Sequence, residues 1–280
     1  MSKVNVRSTA MGKKTRQSKE VYNKMARGYD TSPEGEYTKA HKAVLIQNVE
    51  LEDGDRILDV ACGNGTLLAA LAEKADVEAF GIDISKNMIV AAKQRYPEGT
   101  FRVQPSVPLD FKTESLDAIT VSCAFHHFED PWEFAAECMR ALKKGGAVYL
   151  AEPSFKPMVR WIANRMVFPW THTGDVRVYS PKELSTFFEK AGFTEIRTET
   201  WETVLFWKHG NKGLIDTNPK HGGQTATKRL IPPFTLKFCV KNFSRIEESE
   251  NESTKIGGPS CPEQCGGLSR PFPRENARKF

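Results

Sequence analysis

The residues best placed to do chemistry form one run, Ile57-Leu58-Asp59-Val60-Ala61-Cys62-Gly63-Asn64-Gly65-Thr66-Leu67-Leu68. An apolar strand passes through two glycines into an apolar helix, a turn that lets backbone N–H groups approach a ligand closely at a helix N-terminus. A tight strand-to-helix turn that binds nothing is the plainer alternative. Asp59, at the strand end, would repel a pyrophosphate and suits an ammonium. Leu68 stands where a dinucleotide fingerprint has its third glycine. The loop therefore fits a ligand with a cationic amino-acid end better than a dinucleotide. Asp83 closes Phe80-Gly81-Ile82-Asp83, where an acid can hold both hydroxyls of a ribose, its alternative being a first-turn acid of the next helix. His126, His127 and Glu152 follow two later strand-like segments and are candidate groups for moving a proton. Of these, His126 is expected to face the pocket and His127 to be structural, while Glu152, next to Pro153, has strand termination as its rival role.

Hydrophobic periods of two and about 3.6 alternate along residues 31–208, the pattern of parallel strands joined through helices. Strands are expected at 56–60, 77–82, 101–103, 116–122 and 147–151, so the fold class is α/β with a doubly wound sheet. Asp130-Pro131 reads as a helix cap followed by proline at the first helical position, and Ser180-Pro181-Lys182-Glu183 as a capping box. Segments 195–201 and 203–207 are nearly contiguous, which predicts an antiparallel pair at the end of the sheet. At the N-terminus Tyr22, Met25, Ala26 and Tyr29 share a helix face, for which simple core burial is a serious alternative to covering a ligand.

Taken together, Leu58-Asp59-Val60-Ala61-Cys62-Gly63-Asn64-Gly65, Gly81-Ile82-Asp83-Ile84-Ser85, Val121-Ser122-Cys123-Ala124-Phe125-His126-His127-Phe128 and Leu142-Lys143-Lys144-Gly145-Gly146 resemble the class I S-adenosylmethionine-dependent methyltransferases. The likeness covers residues 20–208 and is nearest the small-molecule branch that includes the ubiquinone and menaquinone-biosynthesis enzymes. It implies a Rossmann-like, seven-stranded, mostly parallel sheet with one antiparallel strand near its edge, and S-adenosyl-L-methionine as cofactor. By that resemblance Gly63, Asn64 and Gly65 would contact the methionine part and Asp59 its α-ammonium. Asp83 would hold the ribose, Ile84 and Met88 would flank the adenine, and Ser122 would close the pocket. Tyr22 and Tyr29 would belong to a lid over the cofactor. Where the family usually has an Asp and a small residue after the third strand, this chain has Pro105-Ser106, which leaves adenine contact to the Ser106 hydroxyl or backbone.

The implied reaction transfers a methyl group to a small-molecule acceptor by in-line displacement, which needs alignment and at most a base, here His126 or Glu152. Segment 154–179, with Arg160, Trp161, Arg165, Phe168, Trp170, His172 and Arg177, is expected to cover the acceptor, or else to pack its aromatics as local core. A cofactor-binding but catalytically silent relative that works through partners is the alternative that Pro105 supports. A nucleotide-dependent oxidoreductase is disfavoured by Asp59 and Leu68.

The formal charge of the 280 residues is +5, and it is unevenly placed. Residues 1–30, the expected arm and lid helix, hold eight basic and two acidic side chains, a net of +6. Residues 209–280 hold twelve and seven, a net of +5, with an apolar run only at 230–240, and read as a mostly irregular extension. The body between them is at −6, so no nucleic acid is expected at the active site. No run is long and apolar enough for a membrane span, and six scattered cysteines fit a reducing, cytoplasmic setting. Cys261 and Cys265 alone offer too few ligands for structural zinc, and no metal is expected.

Overall fold

A computed structural model describes residues 11–201, 203–208, 211–216 and 235–241. The glycine-loop strand is β1 (Arg56–Val60), and its neighbours are β2 (Glu78–Asp83), β3 (Thr100–Val103), β4 (Leu116–Ser122) and β5 (Leu142–Pro153). These five are parallel in the order β3-β2-β1-β4-β5. Helices α3 (Thr66–Ala72), α4 (Lys86–Arg95) and α5 (Pro131–Ala141) connect them, and α1 (Lys13–Met25) and α2 (Pro33–Asn48) precede them.

The strands carry apolar residues on both faces because helices cover both faces. On one side Leu58, Val60, Ile119 and Val121 pack with Phe134 and Cys138 of α5 and with Leu184 and Phe188 of α7 (Pro181–Ala191). On the other, Ile57, Ala79 and Ala118 pack with Leu45 of α2, Leu67, Leu68 and Leu71 of α3, and Ile89 of α4. The helix starts match their caps. Asp130 accepts from the N–H of Glu133, and Ser180 and Glu183 exchange both bonds of a capping box.

The chain order reverses between β1 and β4, so the loops after these strands diverge and leave a crevice at their carboxyl ends, where open α/β sheets bind ligands. Asp59, Asp83, Ser122 and Glu152 all stand at or next to that edge.

The far end of the sheet departs from expectation. Strand β6 (Glu195–Trp201) does not pair with β7 (Thr203–Lys208). β7 instead pairs antiparallel with β8 (Asn211–Asp216) in a separate two-stranded sheet. The single residue between β6 and β7 is shorter than the two-residue loop a hairpin requires. The antiparallel member of the seven-stranded sheet is β9 (Thr235–Lys241), which lies between β5 and β6 and pairs with both. That seven-residue strand falls in the stretch expected to be mostly irregular, and Cys261 and Cys265 lie outside the described residues. No helix among the described residues is long and apolar enough to cross a membrane.

Candidate active site

A cleft at the carboxyl edge, about 690 Å³ counting space that opens to solvent, is walled by α1, by the loops after β1, β2, β3 and β4, and by the start of α4. Of the residues expected around a cofactor, Tyr22, Tyr29, Gly63, Asp83, Ile84, Met88, Ser106 and Ser122 line it. Two non-glycine residues in its wall, Ala61 (φ 57°) and Cys123 (φ 52°), are left-handed, a conformation that costs about 1–2 kcal/mol each. They sit directly after β1 and β4, where the chain must turn sharply away from the crevice.

Asp83 is the acidic centre of the cleft. Its two oxygens accept from the N–H groups of Gly63 (2.9 Å) and Ser85 (2.8 Å), so Asp83 and the glycine loop form one unit. Burial pushes its carboxyl up to about 6 against the pull of those two bonds. Asp59 is deeper and is not part of the cleft wall. Thr120 donates to it at 2.7 Å, and burial raises it to about 7. Asn64 and Gly65 are also behind the surface. The Asn64 amide donates to Asp30 (2.8 Å), and Arg95 pairs with the other Asp30 oxygen (2.5 Å). Asn64 thus ties the glycine loop to the turn at Tyr29–Thr31. Gly65 (φ 76°) starts α3 in a conformation open to glycine, and an added Cβ there would meet Ala92 at 3.0 Å.

Helix α1 closes the near side. Asn23 accepts from Ser85 Oγ (2.8 Å) and its carbonyl accepts from the Asn87 amide (2.9 Å), fixing α1 to the start of α4. Tyr22 and Tyr29 meet edge-on at 6.3 Å. After β3, Ser106 lines the cleft as expected, and so does Gln104, which precedes Pro105. Gln104 is a polar side chain of the cleft wall that sequence reasoning passed over, although its position beside Pro105 signalled it.

The two histidines sit on a single short turn, Phe125–His127, and face different ways. The pocket-facing position expected of His126 is taken by His127, which lines the cleft. His126 is buried: its Nδ1 lies 2.8 Å from Glu152 Oε2, and Asp175 is 3.7 Å from its Nε2. Glu152 Oε1 accepts from the N–H groups of Ala124 (2.7 Å) and Phe125 (2.8 Å), so this carboxylate shapes the turn itself. Burial acts to discharge both groups, and their mutual attraction prevails, holding His126 above and Glu152 below its ordinary range. Burial and repulsion by His126 push His127 down to about 4, so it is neutral at pH 7. Its Nε2 is 3.2 Å from the Tyr22 hydroxyl. Burial raises Tyr22 well above the usual phenol range, so the phenol keeps its proton and can donate to Nε2 in the tautomer that carries its proton on Nδ1. The Nδ1 side faces Ser18 Oγ at 3.5 Å and Asp175 at 3.7 Å.

None of residues 154–179 lines the cleft. Trp161 and Trp170 are 62% and 81% exposed, so these aromatics are neither core nor cleft wall.

Asp83, a buried carboxylate at the cleft with no cation in hydrogen-bond contact among the described residues, suits a ligand that brings donors and positive charge. The Ser122 hydroxyl, buried at the cleft with no partner, is a polar atom such a ligand can satisfy. Met88 and Ile84 are apolar residues of the same cleft wall as Asp83 and Ser122. These residues fit S-adenosyl-L-methionine, whose ribose hydroxyls donate and whose ammonium and sulfonium are positive.

A family model described as a methyltransferase domain matches residues 58–150. A demethylmenaquinone methyltransferase of Symbiobacterium thermophilum is 28% identical over 213 residues, 63% of this chain and 84% of the relative. A protein of the same name from Thermotoga maritima is 32% identical over 146 residues, 50% of this chain and 63% of its own length, slightly under two thirds. Among solved structures, a Haemonchus contortus phosphoethanolamine N-methyltransferase 2 in complex with phosphomonomethylethanolamine and S-adenosylhomocysteine superposes with a TM-score of 0.54. It is 19% identical and covers 69% of this chain and 46% of that one, a likeness of fold. In its strand order, in its acid-and-glycine cleft at the reversal point and in the methyltransferase domain matched over residues 58–150, the chain is similar to the class I S-adenosylmethionine-dependent methyltransferases.

Proposed function

We propose that this enzyme methylates a small, flat, electron-rich acceptor of the quinol class, with His127 taking the acceptor's proton. The observation that carries this reading is that one cleft is lined both by Asp83, Gly63 and Met88 and by a neutral His127 bonded to Tyr22. When bound, the cofactor supplies an electrophilic methyl group on a sulfonium. Asp83 and the Gly63 N–H hold one end of the cleft in a fixed geometry, and Ser122 and Cys123 line it close to the histidine turn. His127 Nε2 carries a lone pair at neutral pH, and Asp175 beside Nδ1 stabilises the cation formed when that nitrogen accepts a proton. Tyr22 must release its bond to Nε2 for this, so the α1 lid and the base are one device. His126 and Glu152, given catalytic parts on sequence grounds, act in this proposal by holding the turn that presents His127. The name shared by the Symbiobacterium and Thermotoga relatives supports a quinone-related acceptor.

The test is transfer of labelled methyl from S-adenosylmethionine to a panel of acceptors, with reduced demethylmenaquinone among them and phenols and amines as comparisons. Label on the quinol, lost with His127→Ala, supports the proposal. Label on amines alone, with quinols inert, would contradict it.

A further inference from the structure

We propose that residues 156–170 form a docking segment that seats this enzyme on an anionic lipid bilayer. Helix α6 (Pro157–Ile162) continues through a wider turn at Ala163–Val167, and none of the residues of either piece is buried. Seven of the ten large hydrophobic side chains left exposed among the described residues lie between 158 and 170. They include Met158 at 76%, Trp161 at 62%, Met166 at 60% and Trp170 at 81%. Monomeric proteins rarely leave such a concentration uncovered without a partner.

Charge decides what the partner is. The body of the enzyme is net acidic, yet residues 154–174 contain no Asp or Glu and carry Lys156, Arg160 and Arg165. A basic, tryptophan-bearing helix on an acidic domain is the pattern that lies in the plane of a membrane interface, with indole rings at headgroup depth and cations against anionic lipid. A second copy of the chain would set these like charges against each other. No helix among the described residues is long and apolar enough to cross the bilayer, and the proposed attachment is peripheral.

The segment is also fixed to the cleft. Lys14 Nζ donates to the carbonyls of Phe168 (2.7 Å) and Thr171 (3.2 Å), and Ser18 Oγ to that of Thr173 (3.3 Å). Thr15 and Ser18, on the same helix α1, line the cleft. Docking therefore brings the mouth of the cleft to the lipid surface, where a lipophilic quinol would be met. That last step rests on the proposed acceptor, and the docking itself does not.

The experiment is co-sedimentation of the full chain with vesicles of phosphatidylcholine alone and of phosphatidylcholine mixed with phosphatidylglycerol, at low and high salt. The expected result is salt-sensitive binding to the mixed vesicles. Arg160→Gln and Arg165→Gln should each weaken it about fivefold, and Trp161→Ser with Trp170→Ser about tenfold or more. S-adenosylhomocysteine binding, followed by calorimetry, should stay unchanged in these variants and shows that they are folded. Three results would overturn the proposal: wild type that stays in the supernatant with both vesicles, vesicle binding that the variants leave intact, or a tryptophan variant that alters oligomeric state in light scattering while still binding lipid. Quinols that remain unmethylated while vesicle binding behaves as described would refute the acceptor and leave the docking surface standing.

Discussion

Replacing Glu152 by Ala tests the account of the histidine turn. The carboxylate accepts three hydrogen bonds, from two buried backbone N–H groups and from His126, all between 2.7 and 2.8 Å. Its removal strands both amides and leaves a buried imidazolium facing only Asp175. Breaking a buried pair from one side costs about 3–5 kcal/mol. For a domain of this size that is a fall in Tm of roughly 6–20 °C, at about 2–4 °C per kcal/mol. Glu152→Gln keeps an acceptor oxygen for the amides and should lose about half as much. The pH dependence has a sign that a packing defect lacks. Glu152 is lowered from 4.5, so its contribution is complete above that pH and is lost as pH falls through its folded value. His126 is raised from 6.5, so its contribution is complete below that pH and is lost as pH rises through its folded value. The difference between wild type and Glu152→Ala, read by urea or thermal unfolding, should therefore be largest between pH 4.5 and 6.5 and shrink on either side. A Tm within 2 °C of wild type, or a difference that is flat with pH, would refute the reasoning.

Gly65→Ala forces a left-handed alanine against Ala92 and should destabilise by about 1–3 kcal/mol in urea unfolding. Gly63→Ala, with the same sign of φ and open space around the added Cβ, should cost less. His127→Gln should lower kcat about 10²–10³-fold with S-adenosylhomocysteine affinity changed by less than about threefold. With His127 at about 4, wild-type turnover should hold steady from neutral pH down to about 5 on this group's account and fall below that, because the base works unprotonated. Tyr22→Phe should shift kcat in the same assay by a smaller factor, since it removes a donor to Nε2 and leaves the base in place.

How much of this was legible in the sequence follows the range of the forces involved. The alternation of periods located β1 through β5 and their helices because each element buries its own apolar pattern. Asp83 and Gly63 could be paired from spacing because β1 and β2 are register neighbours, with Asp59 opposite Gly81 and Val60 opposite Ile82. Strand β9 escaped because its partners are β5 and β6, more than thirty residues away in sequence, and glycines and prolines precede it, with Pro232 and Pro233 immediately before. The His126–His127 reversal has a similar origin. On a tight turn consecutive side chains diverge, and which one faces the cleft depends on Glu152, brought in from another strand. Asn64 was expected to meet ligand by resemblance alone, and the bond its amide donates to Asp30, a contact across 34 residues, had no local signal.

The most direct test of the central claim is calorimetric titration of the full chain with S-adenosylhomocysteine, alongside Asp83→Asn. Saturable one-to-one binding, weakened at least about tenfold by the substitution through loss of charge-assisted hydrogen bonds, is the predicted result. Absence of binding to the wild-type chain, or affinity that Asp83→Asn leaves unchanged, would contradict it.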